Sequence, residues 1–347
     1  MYFNDVIKLS VRKRDSNIEL LRIVSMILVL VTHAAYVSTD PPSQSDISIC
    51  LGSSFMRAIV ESLSEVCVNS FVLISGWFGI RSNKNRLFEF LFQVFFISFF
   101  VYVIMRMSGL TKAMNIYEWI DVLMFKFGSY WFVRSYLILY LFAPVLNSFV
   151  EYYKKEQLRY FLLFFFLIQT IYGFYNSSGW FSSGYSPLSF MGLYMLARYM
   201  RLYPNIFVKF NKYVDIAIYI VLSLITAAIS LSLTYYCGRG GTILFLYSSP
   251  LVIVSSIYFF LFFTKMSFQR LFVNWISVSC FAVYLVHCSP SIFQPYYICR
   301  IREWYTTESS FFFVVYTACL ILFFFTISIF IDKIRIVIWK KMSGLIQ

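Results

Sequence analysis

NIELLRIVSMILVLVTHAAYV, residues 17–37, is long enough to cross a bilayer as an α-helix, which takes about 20 mostly apolar residues. It carries two ionisable side chains, Arg22 and His33, with ten residues between them. Eleven steps of about 100° make close to three turns, so both side chains fall on one face, about 16 Å apart along the axis. Ionisable groups inside a membrane helix cost roughly 2.5–3.5 kcal/mol on insertion scales, so they face a polar cavity or pathway rather than lipid. The chain has only two histidines, and His33 is one of them.

The rest of the chain continues in the same character. Of 347 residues, 60% are apolar, 22% aromatic and 13% charged, and the apolar runs recur to the end. That composition excludes an ordinary soluble domain and a disordered one. No polar stretch is long enough to fold as a separate soluble unit, so residues 1–347 read as one polytopic helical membrane domain. Ten spans are expected, near 17–37, 54–79, 87–107, 131–150, 160–176, 186–203, 213–236, 242–264, 272–292 and 311–331.

The net charge of +13 points to topology rather than to nucleic acid. With the N-terminus in the cytoplasm, the cytoplasmic segments carry 20 Lys and Arg, from Lys8, Arg12, Lys13 and Arg14 through to Lys340 and Lys341. The outer segments and their flanks carry eight: Arg57, Arg106, Lys112, Lys126, Arg134, Arg239, Arg300 and Arg302. This is a positive-inside bias, and it places both termini in the cytoplasm. The first span does not read as a cleaved signal peptide, because Arg22 interrupts its approach and no A-x-A site precedes Asp40. The seven cysteines form no C-x-x-C pair and lie mostly in apolar runs, so they read as small buried hydrophobes; neither a metal site nor a disulfide framework is expected.

The apolar runs do not alternate as barrel strands do; 161–168, FLLFFFLI, is an example. Span two is the least apolar, with Arg57, Glu61, Ser64, Glu65 and Asn69 spaced three to four residues apart on one stripe. That stripe turns this helix toward the bundle interior. Loops are expected at 40–45, 176–184 and 238–241, and residues 114–127 form a short amphipathic segment at the outer surface. No internal repeat supports the inverted-repeat plan of many transporters.

A histidine in a membrane cavity suits general-base work near neutral pH. Arg22 is a permanent cation suited to a phosphate or carboxylate. Glu19 lies three residues before it, so a local ion pair at the cytoplasmic boundary, with His33 merely closing the outer end of the helix, is the plainer alternative. His287, in CFAVYLVHCSP, stands before a loop and reads either as structural or as a second functional histidine. Arg81, Lys84 and Arg86, in RSNKNR, follow span two as a topology anchor or as a landing site for an anionic ligand. Trp131, Arg134 and Tyr136 open span four; they fit an interfacial aromatic belt, with Arg134 turned outward or toward the same cavity as His33.

Together these pieces resemble acyltransferase family 3, integral membrane enzymes that mostly O-acetylate cell-envelope polysaccharides and lipid-linked glycans in bacteria. Arg22 to His33 resembles the family's pattern of a basic residue, ten positions and a histidine. RDSNIELLR (14–22) resembles its opening signature, FVLISGWFGI (71–80) the end of its second helix, WFVRSYLILYLFAP (131–144) its mid-chain segment and CFAVYLVH (280–287) its late signature. The likeness runs through nearly the whole chain in order. It departs where the family often shows R-x-x-R, since Arg81 and Arg86 are five apart with Lys84 between.

The resemblance implies acetyl-CoA as acyl donor, bound from the cytoplasmic face of a bacterial membrane by Arg22, Arg81, Lys84 and Arg86. It implies His33 as general base or transient acyl acceptor, an outward-facing or lipid-linked glycan as acceptor, and no metal. Glu19, Glu65, Arg134 and His287 are further candidates. The chain ends about sixteen residues after the last expected span, so transfer is expected to finish in the membrane domain or on a separate extracytoplasmic transferase. The second alternative makes the protein an acyl relay. A transporter or flippase for a polyprenyl-linked saccharide, with the stripe of span two lining its path, is the reading of a different class.

Overall fold

A computed structural model describes residues 15–123, 130–175 and 179–345. Lys8, Arg12, Lys13, Arg14 and Lys126, together with residues 124–127 of the amphipathic segment and 176–178 of an expected loop, lie outside the described residues. No strand occurs among the described residues. The main helices are α1 (Ser16–Ala34), α2 (Leu51–Ser64), α3 (Val66–Phe78), α4 (Lys84–Met107), α5 (Trp131–Tyr152) and α6 (Lys155–Gln169). They continue as α7 (Pro187–Leu202), α8 (Lys212–Cys237), α9 (Pro250–Thr264), α10 (Leu271–Ser277), α11 (Cys280–His287) and α12 (Ser310–Leu345).

Several ends are written into the sequence. Asn83 caps α4, its side-chain oxygen accepting from the amides of Asn85 at 2.8 Å and Arg86 at 3.4 Å. Ser186 accepts from the Ser189 amide at 3.2 Å, and Pro187 opens α7 without an N–H to strand. Asn211 caps α8, which closes on Gly238 at φ 70°, the left-handed conformation glycine adopts freely.

Among the described residues, seven helical stretches are long and apolar enough to cross a membrane: Ser16–Thr39, Leu51–Phe78, Lys84–Met107, Trp131–Tyr152, Lys212–Cys237, Gly241–Thr264 and Ser310–Gly344. The protein is therefore a multi-pass membrane protein. The spans expected near 160–176, 186–203 and 272–292 appear as shorter pieces. The first is the 15-residue α6, running into a π-helical turn at Thr170–Tyr175; the second is the 16-residue α7; the third divides into α10 and α11. A run of apolar residues in sequence does not require one unbroken helix, and a residue pair such as Val278–Ser279 breaks the third.

Two stretches form the interior. Within Leu51–Phe78 and Gly241–Thr264, 72% of the most apolar window is buried, against 28% for α4, α5 and α12. The peripheral helices present rings outward, among them Phe95 and Phe99 on α4 and Phe323 and Phe330 on α12, as lipid requires. Four of the five residues in the polar stripe of span two, Glu61, Ser64, Glu65 and Asn69, are buried, while Arg57 is half-buried and donates to the Thr39 and Asp40 carbonyls. α3 packs on α1, α7 and α9. Gly76 permits a close approach, since a Cβ there would stand 2.4 Å from the Tyr194 carbonyl oxygen on α7.

Candidate active site

α1 packs on several helices of the bundle and carries Arg22 and His33 on one continuous helix. At its C-terminal end, Tyr297 donates its hydroxyl to the Leu30 carbonyl at 2.7 Å, and Tyr130 donates to the Leu285 carbonyl at 2.9 Å. These bonds hold the last turns of α1 and α11 to their neighbours. Between the two helices, His33 Nδ1 and His287 Nε2 stand 2.9 Å apart, although 254 residues separate them in the chain.

The proton positions of this pair follow from its partners. His287 Nδ1 lies 2.6 Å from the Val283 carbonyl oxygen, which can only accept. His287 therefore carries its proton on Nδ1, and in the neutral ring Nε2 is an acceptor. His33 must then donate from Nδ1, which leaves its Nε2 with the free lone pair. No other bond to that nitrogen occurs among the described residues. Phe293 sets its ring edge against His33 with centroids 5.0 Å apart. The result is an imidazole of fixed tautomer whose basic nitrogen is unspent.

Cys288 adds a third polar atom, its sulfur 3.3 Å from His287 Nε2, and the donor atoms of His33, His287 and Cys288 all lie within 4.8 Å of one another. Two imidazoles and a thiol form a set that zinc accepts. Here, however, the 2.9 Å between the two histidine nitrogens is a hydrogen-bond length, shorter than the roughly 3.3 Å implied by tetrahedral zinc–nitrogen bonds. The cysteines as a group depart from expectation: Cys50, Cys237, Cys299 and Cys319 are exposed, and only Cys67, Cys280 and Cys288 are buried. In a membrane protein an apolar run need not face inward, because lipid accepts it equally well.

His33 lines a cavity of about 120 Å³ together with Thr32, Glu65, Trp131, Tyr185, Tyr247 and Tyr284. Val37, which is 44% exposed, marks its open side. A second cavity of about 430 Å³ lies toward the other end of α1. Its walls include Arg22, Arg86, Arg335, Glu19, Glu89 and Tyr136. Phe71, Phe132 and Phe281 line both cavities, so three aromatic rings form the partition between them. Phe132 stands at the middle, with ring centroids 6.2 Å from Phe71 and 6.3 Å from Phe281.

The residues singled out in the sequence divide accordingly. His33, His287 and Glu65 belong to the first neighbourhood and Arg22, Glu19 and Arg86 to the second. Arg22 also pairs with Glu19 at 3.6 Å, so the local ion pair and the cavity position coexist. Arg81 and Lys84 are exposed and line neither cavity; Asn83 turns the chain between Arg81 and the helix that carries Lys84 and Arg86. Tyr140 anchors that turn, accepting from the Asn83 amide at 2.9 Å and donating to its carbonyl at 3.0 Å. Arg134 is half-buried and lines neither cavity. Trp131 and Tyr136, which fit an interfacial belt in the sequence, are cavity walls.

Arg335 is the wall residue that the sequence gives least reason to choose, since there it figures only among the charges that set topology. It is 2% exposed, held by Asp332 at 2.9 Å and Glu89 at 3.4 Å, while Asp332 also accepts from Gln93 at 2.9 Å. The i,i+3 spacing of Asp332 and Arg335 inside an apolar helix is the signal that could have marked it.

Comparison with known proteins adds one finding. The family model described as an acyltransferase domain matches residues 15–333, which take in the walls of both cavities except Arg335. No curated protein and no solved structure matches the chain.

Proposed function

The chain belongs to this acyltransferase family, and from that premise we propose that it transfers acetyl from acetyl-CoA to a hydroxyl of a cell-envelope or lipid-linked glycan. The observation that carries the reading is the His33 tautomer. His287 Nε2 accepts a hydrogen bond from the Nδ1–H of His33 and so leaves His33 Nε2 as a base in a cavity that meets a basic one across three rings.

On this reading the Arg22 cavity faces the cytoplasm, both termini lie there, and the shorter helices bring the number of passes to ten. Arg22 and Arg86 hold the CoA phosphates, with Arg335 as the buried floor of the same cavity; Arg81 and Lys84 draw the anion toward it from the surface. The thioester arm passes between Phe71, Phe132 and Phe281. The roughly 16 Å rise from Arg22 to His33 along the helix matches the span of such an arm.

At the far end, His33 Nε2 takes the proton of the acceptor hydroxyl. The oxygen attacks the thioester carbonyl, the carbon–sulfur bond breaks, and the departing thiolate recovers the proton from His33. In the variant with a covalent intermediate, Nε2 attacks the thioester carbonyl and expels the CoA thiolate; the acceptor oxygen then attacks the acetyl carbon, the carbon–nitrogen bond breaks, and the hydroxyl proton passes to the thiolate. His287 acts through His33, as a positioning residue.

The test is label from acetyl-CoA, supplied at the Arg22 side of sealed membranes, appearing in glycan. His33→Ala should abolish the label while insertion and expression stay intact. Label undiminished in His33→Ala removes this histidine from the mechanism. No label with either protein refutes the acetyl-CoA-to-glycan reading.

A further inference from the structure

Two acids remain without a role. Glu61 and Glu65 sit one turn apart where α2 meets α3, 4% and 7% exposed, with their carboxyl groups in contact. The Tyr36 amide donates to Glu61 at 3.3 Å, and the Tyr247 hydroxyl donates to Glu65. Neither acid forms an ion pair among the described residues, whereas Asp215 has Lys265 at 2.5 Å and Asp332 has Arg335 at 2.9 Å. Two ionised carboxylates in contact away from water repel strongly, so at most one of the two is ionised at a time and they share a proton.

Glu65 faces the cavity that holds His33. Tyr284 gives a second, separate sign that this space is built for a polar guest. It is 6% exposed and lines the cavity, and its buried hydroxyl, beside the Phe132 amide, has no well-formed hydrogen bond among the described residues. A buried hydroxyl without a partner is uncommon, and a ligand that supplies one relieves it. The remaining wall is aliphatic on one part and aromatic on another, where Trp131 and Tyr185 have centroids 4.4 Å apart and Trp131 lies at 26° to Tyr247 at 6.1 Å.

Flat aromatic faces flanked by a carboxylate and a phenol suit a sugar ring. The ring's C–H face rests on the aromatics, and its hydroxyls donate to the carboxylate and pair with the phenol. We propose that Glu65, backed by Glu61, forms with Tyr284 and Trp131 the subsite for the acceptor, and that it selects a neutral hydroxylated ring over an anionic one. This rests on the transferase reading above. A hydroxyl bound to Glu65 leaves its neighbour for His33 Nε2. A ring bearing a carboxylate meets the charge of the pair and is rejected.

The test uses full-length protein in nanodiscs and two probes on one scaffold, methyl β-D-glucopyranoside and methyl β-D-glucopyranosiduronate. Binding is read by saturation-transfer NMR, and CoA release from acetyl-CoA is followed on the same samples. The neutral glycoside should bind, and the uronate should bind about tenfold more weakly, as one like charge at partly screened range implies. Glu65→Gln should weaken the neutral probe and bring the two within about threefold of each other. Equal binding of both probes to the wild type, or no binding of the neutral probe, overturns the proposal without any variant. Selectivity unchanged in Glu65→Gln overturns it as well. His33-dependent CoA release without a glycoside signal sinks the subsite and leaves the transferase. Charge-selective binding without CoA release supports the subsite and counts against the transferase.

Discussion

Replacing His287 with Phe keeps a planar ring in a fully buried position and removes the one atom that accepts the Nδ1 proton of His33. Two consequences follow. His33 loses the partner that fixes its tautomer, and the imidazolium formed as it takes the hydroxyl proton loses a charge-assisted hydrogen bond. Such a bond contributes about 1.5–3 kcal/mol. At 1.36 kcal/mol per factor of ten, kcat should fall about 10- to 150-fold. The cavity around Arg22 is untouched, so the KM for acetyl-CoA should not move. His287→Gln, whose side-chain oxygen can accept from His33, should recover most of the loss. The assay is thiol release from acetyl-CoA by protein in nanodiscs, normalised to folded protein. Wild-type kcat in His287→Phe refutes the tautomer argument; equal defects in Phe and Gln variants reduce His287 to a packing residue.

Arg22→Ala should raise the Kd for acetyl-CoA about tenfold or more, the share of one charge-assisted contact, and equilibrium binding with labelled donor measures it. An unchanged Kd leaves Arg22 as the partner of Glu19 alone. Lys265→Met strands the fully buried Asp215 carboxylate and should destabilise the fold by about 3–5 kcal/mol. Thermal unfolding in detergent tests it, with no change in melting temperature as the refuting result. The backbone amide and hydroxyl of Ser43, at 2.8 and 2.7 Å, hold the exposed Asp46 carboxyl below its ordinary value. A depressed carboxyl stabilises above its unfolded pKa and loses that support as the pH falls. Exchange protection of Gln44–Ile49, corrected for intrinsic rate, should therefore drop below about pH 4 in the wild type. It should stay flat in Asp46→Asn.

The sequence makes the helical membrane class plain because 20-residue apolar runs have few other uses. It also marks Arg22 and His33, since ionisable groups inside such runs are costly. It hides contacts between distant runs. Nothing in CFAVYLVH announces that His287 meets His33, because the pairing depends on α11 crossing the end of α1. The stripe of span two gives the inward face of Glu61 and Glu65 through spacing alone, but not that Glu65 shares a cavity with His33. Span boundaries are the weakest reading: hydropathy averages over a window and cannot see the π-helical turn after Gln169 or the break after Ser277.

The arrangement of charge along α1 has a consequence for how an acyl group could reach the far cavity. Arg22 and His33 stand on one rigid rod, so their separation is fixed by helix rise and does not depend on loop motion. What varies is the partition. Phe71, Phe132 and Phe281 come from α3, α5 and α11, three helices that pack independently on α1 or its neighbours, and aromatic side chains turn about two soft torsions. A partition of rings passes a thin, neutral arm and rejects a phosphate, because an anion would leave Arg22 and Arg86 for an apolar constriction with no counter-charge. In the proposed reaction the donor's phosphates would therefore stay on the Arg22 side while the acyl end advances. An arm lying between the rings also fills the gap through which water would otherwise reach the acyl group. The donor and acceptor cavities can then stay chemically separate, one cationic and one carrying the Glu61–Glu65 pair, with His33 at the point where the two meet.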